Sequence, residues 1–216
     1  MEAAKRDAQE HYAELKAEGV TSSREAMLKR IQQNQPSFVA PPSIPAFQPY
    51  FDDTFQKYID VLKGIGGRVY VVNNYDEIIA QIKEDFRGAK RIVSFEKAFA
   101  PIAELLSDYN EDPHHFENAD VYIVISPLGV AENGAVWISD KEMPIRVLPF
   151  IAQSLVAVIR KSSIVPTMHD AYNIIGNEEY GFATFIAGPS KTADIEQSLV
   201  LGAHGPKTMT VFIINE

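Results

Sequence analysis

The stretch F-A-T-F-I-A-G-P-S-K-T-A-D-I-E-Q-S-L-V-L-G-A-H-G-P-K-T-M-T-V-F-I-I, residues 182–214, is the part of the chain that decides the fold class. Its two ends, residues 182–187 and 209–214, are short apolar runs typical of buried strands. Between them, residues 188–206 combine glycine, proline, hydroxyl and acidic side chains. We interpret the whole stretch as a strand, a helical crossover and a second strand, the unit from which α/β proteins are built.

The same alternation runs through the chain from residue 51 onwards. The pattern predicts helices over residues 51–63, 75–86 and 101–106, and another that begins near His169 and Asp170 and continues through Ile175. It predicts further strands over residues 68–72, 91–95, 121–125, 135–138 and 155–159. Helices that alternate with apolar strands indicate an α/β domain over residues 51–216, with a mainly parallel sheet flanked by helices.

The first 50 residues have a different character. Residues 1–35 are predicted to form a helical arm: one helix over residues 2–18, and a second that starts at Thr21, Ser22 or Ser23 and ends near Gln33. Residues 36–50 contain five prolines, which fix φ and disfavour helix in the preceding residue. We expect this segment to be an extended linker.

Composition excludes several classes of function. The net charge of -9 argues against a nucleic-acid partner, because such proteins carry clustered Lys and Arg. The chain contains no cysteine, so it has no thiolate for a metal, a cluster or a nucleophile. The first residues lack the apolar core of a secretory signal, and the longest near-apolar run, residues 147–159, is too short to span a bilayer. A cytoplasmic location is expected.

Candidate site residues lie in the crossover. Ser190 or Thr192 stands where a helix N-cap is needed, and Asp194 and Glu196 follow in the expected first turn. Two interpretations remain open: these residues cap a helix, or they face a ligand at the carboxyl ends of the strands. His204, between Gly202 and Gly205, is either a structural turn residue or an acid, base or ligand donor.

Two other polar clusters also have both a structural and a functional interpretation. Glu132, Asn133 and Gly134 follow a predicted strand, so the carboxylate could be presented to a substrate, although E-N-G is also an ordinary turn sequence. His114 and His115 lie near acidic residues, but a polar, proline-containing segment is better explained as a solvated loop than as a metal site. We therefore predict no metal site.

The string from Gly188 to Glu196, G-P-S-K-T-A-D-I-E, together with L-G-A-H-G-P at residues 201–206, resembles the LUD-domain proteins, in particular their LutC/YkgG lactate-utilisation branch. The resemblance covers roughly residues 20–216 and is strongest at these two motifs. It implies a Rossmann-like fold of the type shared by sugar-phosphate isomerases (NagB, RpiA) and CoA transferases. It further implies an accessory subunit for the oxidation of L-lactate to pyruvate, with iron–sulfur clusters in partner subunits and no cofactor in this chain.

The resemblance leaves the role of the chain itself open. E-N-G at residues 132–134 also resembles the motif of class I CoA transferases, whose glutamate forms a covalent adduct. One hypothesis is therefore a pocket for a small anion between residues 132–134 and 190–196, closed by His204, with Glu132 or His204 as proton acceptor. The alternatives are an acyl-CoA or sugar-phosphate enzyme that uses Glu132, and a non-catalytic interaction or sensing module.

Overall fold

The computed structural model describes residues 22–42, 51–107, 112–193 and 199–216. The chain divides into two compact units, Met1–Phe47 and Gln48–Glu216. In the first unit, helix α1 (Ser23–Gln33) begins with a capping box in which Ser22 and Glu25 bind each other's backbone amides, as the serine-rich start predicted. The helix predicted over residues 2–18 lies outside the described residues. Residues 36–42 of the predicted linker are neither helix nor strand.

The second unit contains the remaining elements in chain order. The helices are α2 (Thr54–Gly64), α3 (Tyr75–Asp85), α4 (Leu148–Ile151) and α5 (Met168–Ile175). The strands are β1 (Arg68–Val72), β2 (Ile92–Ser94), β3 (Glu104–Leu105), β4 (Val121–Ile125), β5 (Leu128–Val130), β6 (Ala135–Ser139), β7 (Ser154–Arg160), β8 (Ile164–Val165), β9 (Ala183–Ile186), β10 (Lys191–Ala193), β11 (Leu199–Leu201) and β12 (Thr208–Ile214). No helix within the described ranges is long and apolar enough to cross a membrane.

Six strands form one parallel sheet in the order β1-β12-β7-β4-β2-β3. Its central strands are buried on both faces, which explains why β4 and residues 211–214 of β12 are continuous apolar runs rather than alternating ones. The predicted α/β class with a mainly parallel, helix-flanked sheet is confirmed. The sequence prediction gives β1 and β4 with the same bounds as the structure and places β2, β7 and β12 within one residue at each end.

A second sheet of four strands, in the order β8-β5-β6-β9, was not predicted. Its β5–β6 and β6–β9 pairs are antiparallel, and β5 pairs with β8 in parallel. Strands β5 and β8 have only three and two residues, too few for a periodic pattern to be recognised. Strands β6 and β9, both predicted as part of the parallel sheet, belong to this second sheet instead.

The predicted helix over residues 101–106 is wrong. A short 3-10 helix, Lys97–Phe99, comes earlier, and residues 104 and 105 form the edge strand β3. Val93 and Ser94 pair with Glu104 and Leu105, and the amide of Leu106 donates to the carbonyl of Ser94. Pairing with an open sheet edge therefore overrode the local helical propensity.

Three apolar clusters hold the layers together. One face of the parallel sheet packs with α2 and the second sheet through residues such as Leu62, Val136 and Val211. The opposite face packs with α3 through Ile78, Ile82 and Phe212. A third cluster lies between the second sheet and α5. Each apolar side chain that becomes fully buried contributes about 1.5–3 kcal/mol before the entropy cost of ordering it.

Candidate functional site

Residues 131–134 form the turn of the β5–β6 hairpin, in which Val130 pairs with Ala135. The side-chain oxygen of Asn133 accepts from the amide of Ala135 at 3.0 Å, and the amide of Gly134 donates to the carbonyl of Val130 at 2.9 Å. Asn133 and Gly134 therefore have a structural explanation as turn formers. Glu132 does not: its side chain is exposed and makes no hydrogen bond to any described residue.

Gly134 also lets the turn approach helix α2 closely. Its φ is +69°, and a Cβ placed on it would lie 3.0 Å from both the Cα and the amide nitrogen of Leu62. A Cβ on Gly188, whose φ is +72°, would lie 3.0 Å from a side-chain carbon of Ile65. Leu62 lies in the last turn of α2, and Ile65 directly follows the helix. The two glycine motifs, residues 132–134 and 188–190, therefore pack against the same end of α2.

The second sheet explains why the two motifs meet there. Strands β6 and β9 are antiparallel, and Val136 pairs with Ile186. The chain that enters β6 from Glu132 and the chain that leaves β9 towards Ser190 therefore lie at the same end of this strand pair. The sequence suggested that residues 132–134 and 190–196 share a pocket, but gave no reason for it. The antiparallel pairing explains why residues 132–134 and the chain up to Ser190 lie at the same end of the strand pair.

The helix predicted after Gly188 is not observed at residues 191–193 or 199–201, the described parts at either side of the gap. Residues 191–193 form β10 and residues 199–201 form β11, an antiparallel ribbon in which Thr192 pairs with Val200. Ser190 is not a helix cap: its amide donates to the carbonyl of Pro206 at 2.9 Å, and its carbonyl accepts from the amide of Gly202 at 3.1 Å. These hydrogen bonds join residues 188–192 to residues 201–206 across the base of the ribbon.

The ribbon emerges at the amino ends of the parallel strands, not at the carboxyl ends. The carbonyl of Pro206, which binds Ser190, lies two residues before β12 begins. The amide of Lys207 donates to the carbonyl of Gln153, just before β7, at 2.8 Å. A Cβ on Gly66, two residues before β1, would be 3.5 Å from the ammonium nitrogen of Lys191. The expectation that this motif lies outside the strand carboxyl ends is therefore incorrect.

The other predicted residues are distributed as follows. His204 is exposed on the segment that leads from the ribbon into β12. Thr192 is half-buried within β10, and Asp194 and Glu196 lie outside the described residues. His114 and His115 are exposed on a 3-10 helix capped by Asp112. Within the described ranges, no three His, Asp or Glu side chains are grouped as a metal would require.

A further polar cluster, which sequence reasoning missed, lies at the carboxyl ends of the parallel strands. Glu96 follows β2, and its amide donates to the buried hydroxyl of Ser94 at 3.1 Å; that hydroxyl donates to the carbonyl of Ile123 in β4 at 2.9 Å. Burial, with the nearby carboxylate of Glu142, raises the pKa of Glu96. An acidic residue directly after a predicted parallel strand was the signal in the sequence.

Tyr75, the first residue of α3, belongs to the same edge. Its half-buried ring packs edge-on against Phe99, with centroids 5.8 Å apart. Burial is the main cause that raises the pKa of Tyr75. Neither the hydroxyl of Tyr75 nor the carboxylate of Glu96 makes a hydrogen bond within the described part of the chain.

The parallel sheet, the second sheet packed on α2 and the two glycine motifs define an α/β domain of the LUD type. The LUD domain model matches residues 94–214, more than half of the chain, from the end of β2 to the end of β12. The chain belongs to the LUD domain family, as its C-terminal motifs predicted.

Similar proteins agree with this assignment. A protein named lactate utilization protein C 1 from Bacillus mycoides is 32% identical over 117 residues, 51% of this chain and 50% of that protein. Lactate utilization protein C from Anoxybacillus flavithermus is 38% identical over 101 residues, 46% of each chain. The matched stretch thus spans about half the length of these curated relatives. The crystal structure of a DUF162 family protein from Deinococcus radiodurans has the same fold, with a TM-score of 0.59 and 17% identity over 74% of this chain and 96% of that one.

Proposed function

We propose that this chain is an accessory subunit of a lactate-utilisation system and supports the oxidation of L-lactate to pyruvate together with iron–sulfur partner subunits. The observation that carries the proposal is the match of residues 94–214 to the LUD domain together with relatives named lactate utilization protein C. The matched region contains residues 132–134 and 188–206, so the similarity includes the proposed ligand-binding residues.

The division of labour follows from the chemistry. Oxidation of lactate to pyruvate releases two electrons and two protons, and the electrons need an acceptor. This chain has no cysteine, so a cluster held by thiolates belongs to another subunit. The role left for this chain is to bind a ligand or a partner, or to move a proton.

The proposed ligand-binding residues are Glu132, Asn133, Gly134, Ser190, Thr192 and His204. Asp194 and Glu196 are proposed with them from the sequence alone. Glu132 supports it best, because its exposed carboxylate has no hydrogen bond to a described residue. Ser190 supports it through its position at the same end of the β6–β9 pair. In this role Ser190 and Thr192 donate hydrogen bonds to a small anion, and Glu132 or His204 accepts a proton.

A growth experiment tests the system-level role. A strain without this gene is expected to lose growth on L-lactate as sole carbon source and to keep growth on pyruvate. The wild-type gene should restore growth on L-lactate. Glu132→Gln and Ser190→Ala should restore it less well than Glu84→Gln, an exposed change on α3 away from both motifs. Normal growth of the deletion strain on L-lactate would overturn the proposal.

A covalent role for Glu132 is the second candidate, and the exposure of its carboxylate in a tight turn favours it. The carboxylate would attack an acyl-CoA to form a mixed anhydride and release the CoA thiolate. The thiolate would then attack the glutamyl carbonyl, giving a Glu132 thioester and the free acid. Intact mass after incubation with acyl-CoA should show the CoA adduct, absent in Glu132→Gln. No adduct with any of several acyl donors removes this candidate.

A further inference from the structure

A polar cavity of about 680 Å³ lies at the amino ends of strands β2, β4 and β7. Its lining comes from the segments that lead into these strands: Lys90, Arg91, Glu117, Asn118, Asp120 and Gln153. The volume falls within the range of about 300–1,000 Å³ that is usual for small-molecule sites. Every one of these side chains is polar or charged, so we expect a polar ligand rather than an apolar one.

One wall of the cavity is fixed by Arg91. Its Nη1 group donates to the carbonyl of His115 at 2.5 Å and to Oδ1 of Asn118 at 2.6 Å. Its Nε and Nη2 groups donate to the carboxylate of Glu104, and its guanidinium lies 5.3 Å from the centre of the Phe116 ring. Arg91 is therefore occupied by the protein's own groups. It also orients the side chain of Asn118, whose Nδ2 group remains available as a donor.

The main chain at the base of the cavity is also fixed. Oδ2 of Asp120 accepts from the amides of Lys90 and Arg91 at 2.6 and 3.0 Å, and the amide of Asp120 donates to the carbonyl of Arg91 at 2.9 Å. The amide of Gln153 donates to the carbonyl of Ala119 at 3.1 Å. These hydrogen bonds join the starts of β2, β4 and β7, and they leave Oδ1 of Asp120 without a hydrogen bond to a described residue.

Two opposite charges that line the cavity are not used by the fold. Lys90 and Glu117 are both exposed, and neither side chain makes an ion pair or a hydrogen bond with a described residue. The side-chain amide of Gln153 likewise has no hydrogen bond to a described residue. A simple anion here would approach the carboxylates of Glu117 and Asp120, and a simple cation would approach the ammonium of Lys90. A ligand with one charge of each sign avoids both repulsions, and an amino acid is the simplest such zwitterion.

We propose that this cavity binds a zwitterionic amino acid. The ammonium of Lys90 and the side-chain amides of Asn118 and Gln153 donate to the carboxylate of the ligand. The carboxylates of Glu117 and Asp120 accept from its ammonium group. The site is separate from the ligand-binding residues proposed at 132–134 and 188–206, and it goes beyond the proposed role in lactate utilisation, on which it does not depend.

The test is a titration of the ¹⁵N-labelled full chain with L-alanine, L-glutamine and L-phenylalanine. At least one of them should shift the amides of Lys90, Asn118, Asp120 and Gln153. The N-acetyl derivative of that amino acid lacks the ammonium charge, and its carboxamide lacks the carboxylate charge. Each derivative should bind at least about threefold more weakly, because an exposed pair of opposite charges contributes about that factor.

Variants of the two unpaired charges locate the site. Lys90→Gln and Glu117→Gln should each weaken binding by a similar factor, whereas Lys90→Arg keeps the charge and should retain binding. The matched controls Lys97→Gln and Glu84→Gln change exposed residues outside the cavity lining and should bind as the wild type does. The site is overturned if no amino acid shifts these amides up to high millimolar concentration, if the derivatives bind equally well, or if Lys90→Gln binds unchanged. Growth on L-lactate tests the proposed function separately, whatever the titration shows.

Discussion

The main chain of Gly134 lies directly against the main chain of Leu62: a Cβ on the glycine would be 3.0 Å from the Cα and the amide nitrogen of the leucine. The contact joins the β5–β6 turn to helix α2 through backbone atoms on the leucine side, which cannot rotate away as a flexible side chain could. The φ of +69° at Gly134 adds a second reason for glycine at this position.

Gly134→Ala is therefore expected to destabilise the fold by about 1–3 kcal/mol, because it combines an unfavourable φ with a backbone clash. Chemical denaturation measures the change. Gly64→Ala is the matched control in α2, since nothing lies within 4 Å of its Cβ position, and should stabilise by about 0.5–1 kcal/mol. Equal stabilities for the two variants would contradict the close contact.

Tyr58 and Tyr122 are both fully buried but differ in one hydrogen bond. The hydroxyl of Tyr122 donates to the carbonyl of Glu142 at 3.1 Å, whereas that of Tyr58 has no partner among the described residues. We expect Tyr58→Phe to stabilise the protein by about 1 kcal/mol and Tyr122→Phe to destabilise it by about 0.5–1.5 kcal/mol. Thermal unfolding of both variants checks this, and a loss of stability in Tyr58→Phe would indicate a partner for its hydroxyl.

The carboxylate of Glu104 accepts two hydrogen bonds from Arg91, from Nε at 2.9 Å and from Nη2 at 3.0 Å. The hydrogen bonds from Arg91 lower the pKa of Glu104, so its contribution to stability is present above the ordinary value of 4.5 and is lost as the pH falls through the lowered pKa. Glu104→Gln should cost about 0.5–1 kcal/mol at pH 7, because the carboxylate is half exposed, and progressively less as the pH falls through the lowered pKa. A pH-independent difference in unfolding free energy would refute the assignment.

The pH dependence of stability that comes from Glu96 has the opposite sign to that from Glu104. Its pKa is raised by burial and by Glu142, so the folded state favours the protonated form, and stability falls as the pH rises from 4.5 through the raised pKa. Glu96→Gln should therefore raise the melting temperature at pH 7 and have little effect at pH 3.

The sequence predicts the parallel sheet well because its strands are continuous apolar runs bounded by turns, as in residues 121–125. The sequence-based prediction fails where contacts with distant segments determine the local secondary structure. Residues 191–193 have hydroxyl and acidic neighbours that suit a helix start, yet they pair with residues 199–201 in a ribbon. Residues 128–130 are a strand because Leu128 and Val130 pack under α5, a contact that no local pattern reveals.

The candidate site was predicted only in part for the same reason. The hypothesis of a pocket between residues 132–134 and 190–196 came from the family resemblance together with the clustered polar residues, and the β6–β9 register brings the chain of Glu132 and that of Ser190 to one end. The edge of the sheet at which they lie depends on strand order, which a single sequence does not specify. Glu96 was missed because its surroundings, including the hydroxyl of Ser94 that bridges to Ile123, depend on the pairing of β2 with β4.

Strand β12 lies between β1 and β7, although it is the last of the described strands to be made. During synthesis on the ribosome, β1 leaves the tunnel early, and its only described strand neighbour follows more than a hundred residues later. The edges of β1 and β7 that pair with β12 therefore stay open until residues 208–214 have been made, which exposes the nascent chain to wrong strand pairing.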